Sequence, residues 1–112
     1  MPVALQWIGH ASFRIRGSEA VVYIDPWKLP DAPHDADVVF VSHEHYDHCS
    51  AEDVARAAGP QATIIGPAGV LDKLQAVNAV TPGDSVYVRD VAVEAVAAYN
   101  VGRSFHPQGH HW

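Results

Sequence analysis

The sequence predicts an α/β (α+β) domain, a β-sheet with helices on one face, and three observations carry that reading. Short β-prone runs open the chain as an antiparallel meander, residues 38–41 are apolar without alternation, and the stretch after them follows a β-loop-α-β-α order. The first three strands are expected at 3–8, 12–15 and 20–24, separated by Gly9-His10 and by Arg16-Gly17-Ser18. Asp25-Pro26-Trp27 ends the third, and the Pro- and Asp-rich stretch 30–35 reads as a loop. The unbroken apolar run at 38–41 has the pattern of a strand covered on both faces, which makes it the central strand. Open α/β sheets carry their sites at the C-terminal ends of such strands. Here that end delivers residues 42–50, SHEHYDHCS.

Ser50 with Asp53 three positions on is a capping-box-like start for a helix over 51–58, stopped by Gly59-Pro60. A strand at 62–65, a helix at 67–76 with Pro67 in its first turn, and a short extended piece at 80–81 are expected next. Pro82-Gly83-Asp84 makes a turn, after which 85–88 and 91–98 alternate as a hairpin around Arg89-Asp90, with AVAA also compatible with a helix. From Tyr99 onward no period remains and the chain reads as a loop.

Composition narrows the function. An apolar fraction of 48% with 18% charged residues, over 112 residues, fits one ordinary globular domain with one core. The net charge of -6 sets the chain against nucleic acid and anionic membrane surfaces, which carry the same sign. The opening MPVALQW has no positive segment followed by a long apolar one, and no run reaches the ~20 apolar residues of a membrane span, so a cytoplasmic protein is expected. Cys49 is the single cysteine, which leaves no intramolecular disulfide; at a helix start with no assigned base it reads as a small packed residue. Eight histidines are the unusual count, and neutral imidazole is the commonest protein metal ligand.

Four of those nine residues, His43, His45, Asp47 and His48, carry metal-ligand chemistry within six positions. In extended chain, residues two apart share a side, so His43 and His45 can converge on one ion while Glu44 points away. If the chain turns at Tyr46, Asp47 and His48 can address a second ion close enough to share a water with the first. Such a water loses its proton near neutral pH and can attack a carbonyl or phosphoryl centre. Mixed nitrogen and oxygen ligation suits zinc first, with manganese or iron as alternatives.

The stretch matches the H-x-H-x-D-H signature of the metallo-β-lactamase superfamily. Together with GHASFRIR at 9–16, YIDPW at 23–27, VVFVSHEHYDH, YN at 99–100 and FHP at 105–107, it resembles the ascorbate-6-phosphate-lactonase-like branch of metal-dependent hydrolases over nearly the whole chain. The resemblance implies that His43, His45 and a third histidine hold one ion while Asp47 and His48 hold the other and carry the catalysis. It gives His106 as the third histidine, with His110 as runner-up. Asp25 is then expected to orient a ligand imidazole through its ring N–H, and His10 is a second candidate for that role, weighed against simple packing.

By the same resemblance, the fold is half of an αββα sandwich, and residues 1–112 correspond to the N-terminal half as a single domain. The bridging Asp of a GDT-like motif and a final His belong to the second half. The expected substrate is a small lactone, ester or phosphoester. A sheet face left for the other half is expected to find cover by homo-oligomerisation or from a partner. A metal-binding half-domain without turnover, acting as an interaction module, is the rival reading. Nucleic-acid processing, carried out by some superfamily members, is set against the acidic balance.

Overall fold

A computed structural model describes residues 3–46, 48–74, 77–88 and 91–96. Six strands form one mixed sheet in chain order: β1 (Ala4–Gly9), β2 (Ser12–Arg16), β3 (Val21–Ile24), β4 (Ala36–Phe40), β5 (Ala58–Gly66) and β6 (Val77–Ala79). β1 to β3 pair antiparallel, as the meander predicted, and β3 to β6 pair parallel. Helix α1 (Ala51–Ala57) links β4 to β5, and a 3₁₀ segment (Ala68–Asp72) follows β5. β7 (Ser85–Val88) and β8 (Val91–Glu94) make the predicted hairpin as a separate antiparallel pair.

β4 is buried on both faces, and this fixes the layering. Val38 and Val39 are fully buried, and burying a side chain of this size contributes roughly 1.5–3 kcal/mol. Val39 and Val41 join Val54 and Ala57 of α1 and Val70 of the 3₁₀ segment, so both helical pieces lie on one face. Val38 meets Ile65 of β5 on the other, where Val86, Val88, Val91 and Val93 of the hairpin pack. The face expected to be bare is therefore partly covered by this chain's own hairpin. What stays open is its β1 margin: Val3, Leu5 and Trp7 alternate and are each about two-thirds exposed.

Two expectations about the crossovers need correction. Gly59 does not stop the helix at a turn, because β5 already begins at Ala58; an added Cβ at Gly59 would stand 3.0 Å from the Ala36 carbonyl, so its glycine serves a close backbone approach. Where a helix is expected at 67–76, the described residues 67–74 hold only a short 3₁₀ segment, with Gly69 and the β-branched Val70, both weak helix formers. The extended piece expected at 80–81 lies earlier, as β6, in parallel register with Ile64 to Gly66.

A polar lock ties the meander to the loop before β4. Arg14 donates through Nη2 (2.7 Å) and Nε (3.2 Å) to Asp35 Oδ2, and the buried Tyr23 hydroxyl donates to Oδ1 at 2.9 Å. Burial first, then the hydrogen bond to Asp35, pushes the Tyr23 phenol up to about 12. Burial alone would raise the Asp35 carboxyl, but the hydrogen bonds from Arg14 and Tyr23 outweigh it and hold it lowered. Because the folded Tyr23 value is raised, its stabilising contribution is complete below pH 10 and is lost as pH climbs to about 12. An ultraviolet alkaline titration should accordingly show one phenolate appearing near pH 12 that is missing in Tyr23→Phe. Ionisation of every tyrosine in a single step near pH 10 would contradict it.

Candidate metal centre

The centre is built at the C-terminal ends of β3 and β4. Beyond β4 the chain stays extended, with the Val41 N–H donating to the Ile65 carbonyl at 2.9 Å, and this carries Ser42 and His43 out over the sheet. The chain then turns, since the His48 and Cys49 N–H groups both donate to the His45 carbonyl, at 2.9 and 2.8 Å. That reversal brings the His48 ring to 4.0 Å from the His43 ring, centroid to centroid, while His45 lies 4.8 Å from His43. Three imidazoles of the SHEHYDH stretch thus lie ring against ring. Glu44 turns away as expected: its carboxylate lies against Gly69 and its carbonyl accepts from Lys73 Nζ.

Asp25 is the anchor beneath them. It directly follows β3, is 3% exposed, and takes a left-handed φ of 45°. Its backbone is fixed by its N–H donating to the Phe40 carbonyl (2.8 Å) and its carbonyl accepting from the fully buried Ser12 Oγ (2.6 Å). Its Oδ1 accepts the Ser42 N–H at 2.7 Å, and its Oδ2 lies 2.6 Å from both Ser42 Oγ and His48 Nδ1. A carboxylate on the ring nitrogen opposite a ligating one is the usual outer support of a metal-bound imidazole.

His10 sits in the β1–β2 turn with its ring edge-on to Trp27 at 5.3 Å and to His48 at 5.6 Å, so it packs against the centre. Tyr46 is 73% exposed and stacks edge-on to Trp27 at 6.0 Å, which gives it a place on the rim. Cys49 is buried, and burial pushes its thiol above the ordinary range, partly offset by Lys73, so it packs rather than attacks. Asp47, His106 and His110 lie outside the described residues.

Does this set suit a metal? The donor chemistry fits. His43 Nδ1 lies 2.9 Å from Ser42 Oγ and His48 Nδ1 lies against Asp25, so for both rings Nε2 is the atom that would ligate, and His43 Nε2 is buried. Among the described residues, however, no three His, Cys, Asp or Glu side chains form a closed ligand group. Ser42 and Ser12 were not foreseen from the sequence. Ser42 adjoins His43, but a serine beside a histidine is too common a pair to signal a role.

Residues 4–111 match the family described as the beta-lactamase superfamily domain. The chain belongs to the beta-lactamase superfamily. The chain is similar to a UPF0173 metal-dependent hydrolase of Roseobacter denitrificans, 31% identical over an alignment of length 107 that takes in 82% of this chain and 46% of that protein. A solved structure from Parabacteroides distasonis superposes with a TM-score of 0.84 at 22% identity, over 97% of this chain and 53% of that one. A metallo hydrolase of the archaeon Ignicoccus hospitalis gives 0.65 at 20% identity, over 95% and 53%. These likenesses establish the superfamily fold, and the chain spans about half the length of the relatives it matches.

Proposed function

We propose that this chain carries the metal-binding part of a metal-dependent hydrolase acting on a small lactone, ester or phosphoester. The observation that supports it most is the gathering of His43, His45 and His48 at the strand ends, with Ser42 and Asp25 against the Nδ1 atoms of His43 and His48. In this reading His43, His45 and His106 hold one divalent ion, and Asp47 and His48 hold a second. Zinc is the first choice, manganese or iron the next. Bound ions of this kind supply Lewis-acid activation of a water near neutral pH and stabilise negative charge on a substrate oxygen. The protein's own share is positional: Asp25 keeps the His48 ring oriented through Nδ1, and Trp27 packs edge-on against both His10 and Tyr46.

Among the described residues no helix is long and apolar enough to cross a membrane, and a cytoplasmic location is part of the proposal. So is homo-oligomerisation, or cover by a partner, over the exposed Val3, Leu5 and Trp7 margin. The rival reading is a metal-binding module without turnover.

The test loads the 112-residue chain with zinc or manganese and offers generic lactones, carboxylic esters and phosphodiesters. Saturable turnover that stops with chelator and falls by more than about 100-fold in His48→Ala is expected. Metal uptake with no turnover of any of the three would favour the module instead.

A further inference from the structure

We propose that Ser42 is a positioning residue whose single hydroxyl proton sets the tautomer of His43. A serine hydroxyl has one proton to donate and two lone pairs to accept with. Around Ser42 Oγ stand Asp25 Oδ2 at 2.6 Å, His43 Nδ1 at 2.9 Å and His48 Nδ1 at 3.4 Å. The carboxylate is the strongest acceptor of the three and the closest, so the hydroxyl proton goes to it. Ser42 Oγ then meets His43 Nδ1 with lone pairs only, and a hydrogen bond there requires the proton to be on Nδ1. His43 is thereby held as the Nδ1–H form with its lone pair on the buried Nε2. The same carboxylate oxygen accepts from His48 Nδ1, so Asp25, acting directly on one ring and through Ser42 on the other, leaves Nε2 unprotonated in both neutral imidazoles.

Ser42 is held by protein groups. Its N–H is fixed by Asp25 Oδ1 at 2.7 Å, and Asp25 is fixed in turn by Ser12 and the Phe40 carbonyl. The consequence for metal affinity rests on the hydrolase reading above; the tautomer assignment does not.

The experiment is long-range proton–nitrogen correlation NMR on the metal-free 112-residue chain with its imidazoles neutral, His43 being assigned by loss of its signals in His43→Gln. Wild-type chain should show His43 protonated at Nδ1. Ser42→Ala should shift it toward Nε2–H, and Ser42→Thr, which keeps the hydroxyl, should restore Nδ1–H. Asp25→Asn should also shift it, because an amide N–H donated to Ser42 Oγ turns the hydroxyl proton toward His43. Competition with a chromophoric chelator should show zinc affinity falling about 10–100-fold in Ser42→Ala and recovering in Ser42→Thr. A wild-type His43 protonated at Nε2, or a tautomer indifferent to Ser42→Ala, would overturn the proposal even if other variants failed to fold. A wild-type chain that takes up no zinc yet keeps His43 as Nδ1–H would support the tautomer assignment and defeat the hydrolase reading alone.

Discussion

Replacing His43 and His45 together by alanine is expected to strip the protein of bound metal while leaving it folded. The two rings stand 4.8 Å apart, and each substitution removes an imidazole that no alanine can replace as a ligand. Retention of the fold follows from where the supporting bonds lie. Ser42 keeps both of its contacts with Asp25, and the β4 core around Val38 and Val39 is untouched. Elemental analysis after dialysis against zinc, with circular dichroism as the folding control, checks the result. Unchanged metal content in the folded double variant would remove the centre from these residues altogether.

Asp53→Ala is expected to cost far more stability than deletion of an exposed carboxylate such as Glu52. Asp53 is only 7% exposed and does more than cap α1. Its N–H donates to Ser50 Oγ at 3.2 Å and its Oδ2 accepts from that hydroxyl at 2.8 Å. The same carboxylate accepts the Lys28 N–H at 2.9 Å and the Leu29 N–H at 3.0 Å, which binds the loop after β3 to the helix start. Alanine would leave a buried Leu29 N–H without its acceptor, at about 1–3 kcal/mol, and would remove the cap partner as well. The sum is about 3 kcal/mol, or a melting temperature lower by roughly 10 °C. Asp53→Asn, which keeps one acceptor, should recover part of it. A change below about 1 kcal/mol by denaturant titration would show that water replaces the carboxylate freely.

How much of this was readable beforehand follows from the range of each interaction. The meander, the doubly buried β4, the cap at Ser50 and the hairpin are written in periods and turn residues a few positions apart, and each was placed within a few residues. The shortened second helix was not readable, because apolar residues at 68–74 satisfy a helical period even though Gly69 and Val70 weaken it. The residue types in SHEHYDH that could bind metal are plain from spacing, and the turn that this reading requires at Tyr46 is present, with the His48 and Cys49 N–H groups on the His45 carbonyl. The supporting layer was legible only in outline. Asp25 was singled out, but its meeting with Ser42 and His48 spans 17 and 23 positions, and Asp53 reaches Lys28 across 25. No local pattern encodes contacts of that length. They depend on β3 and β4 lying side by side in parallel.

Position 25 sets two demands against each other. A side chain at φ 45° carries a steric penalty of roughly 1 kcal/mol or more that glycine would escape. Glycine would also delete the one carboxylate that Ser42 and His48 share. A laboratory campaign that ranked variants by heat resistance alone would thus be drawn toward relaxing this bend, at the expense of whatever the histidines do. Retention of aspartate there through rounds of such screening would mean that its hydrogen bonds outweigh the bend.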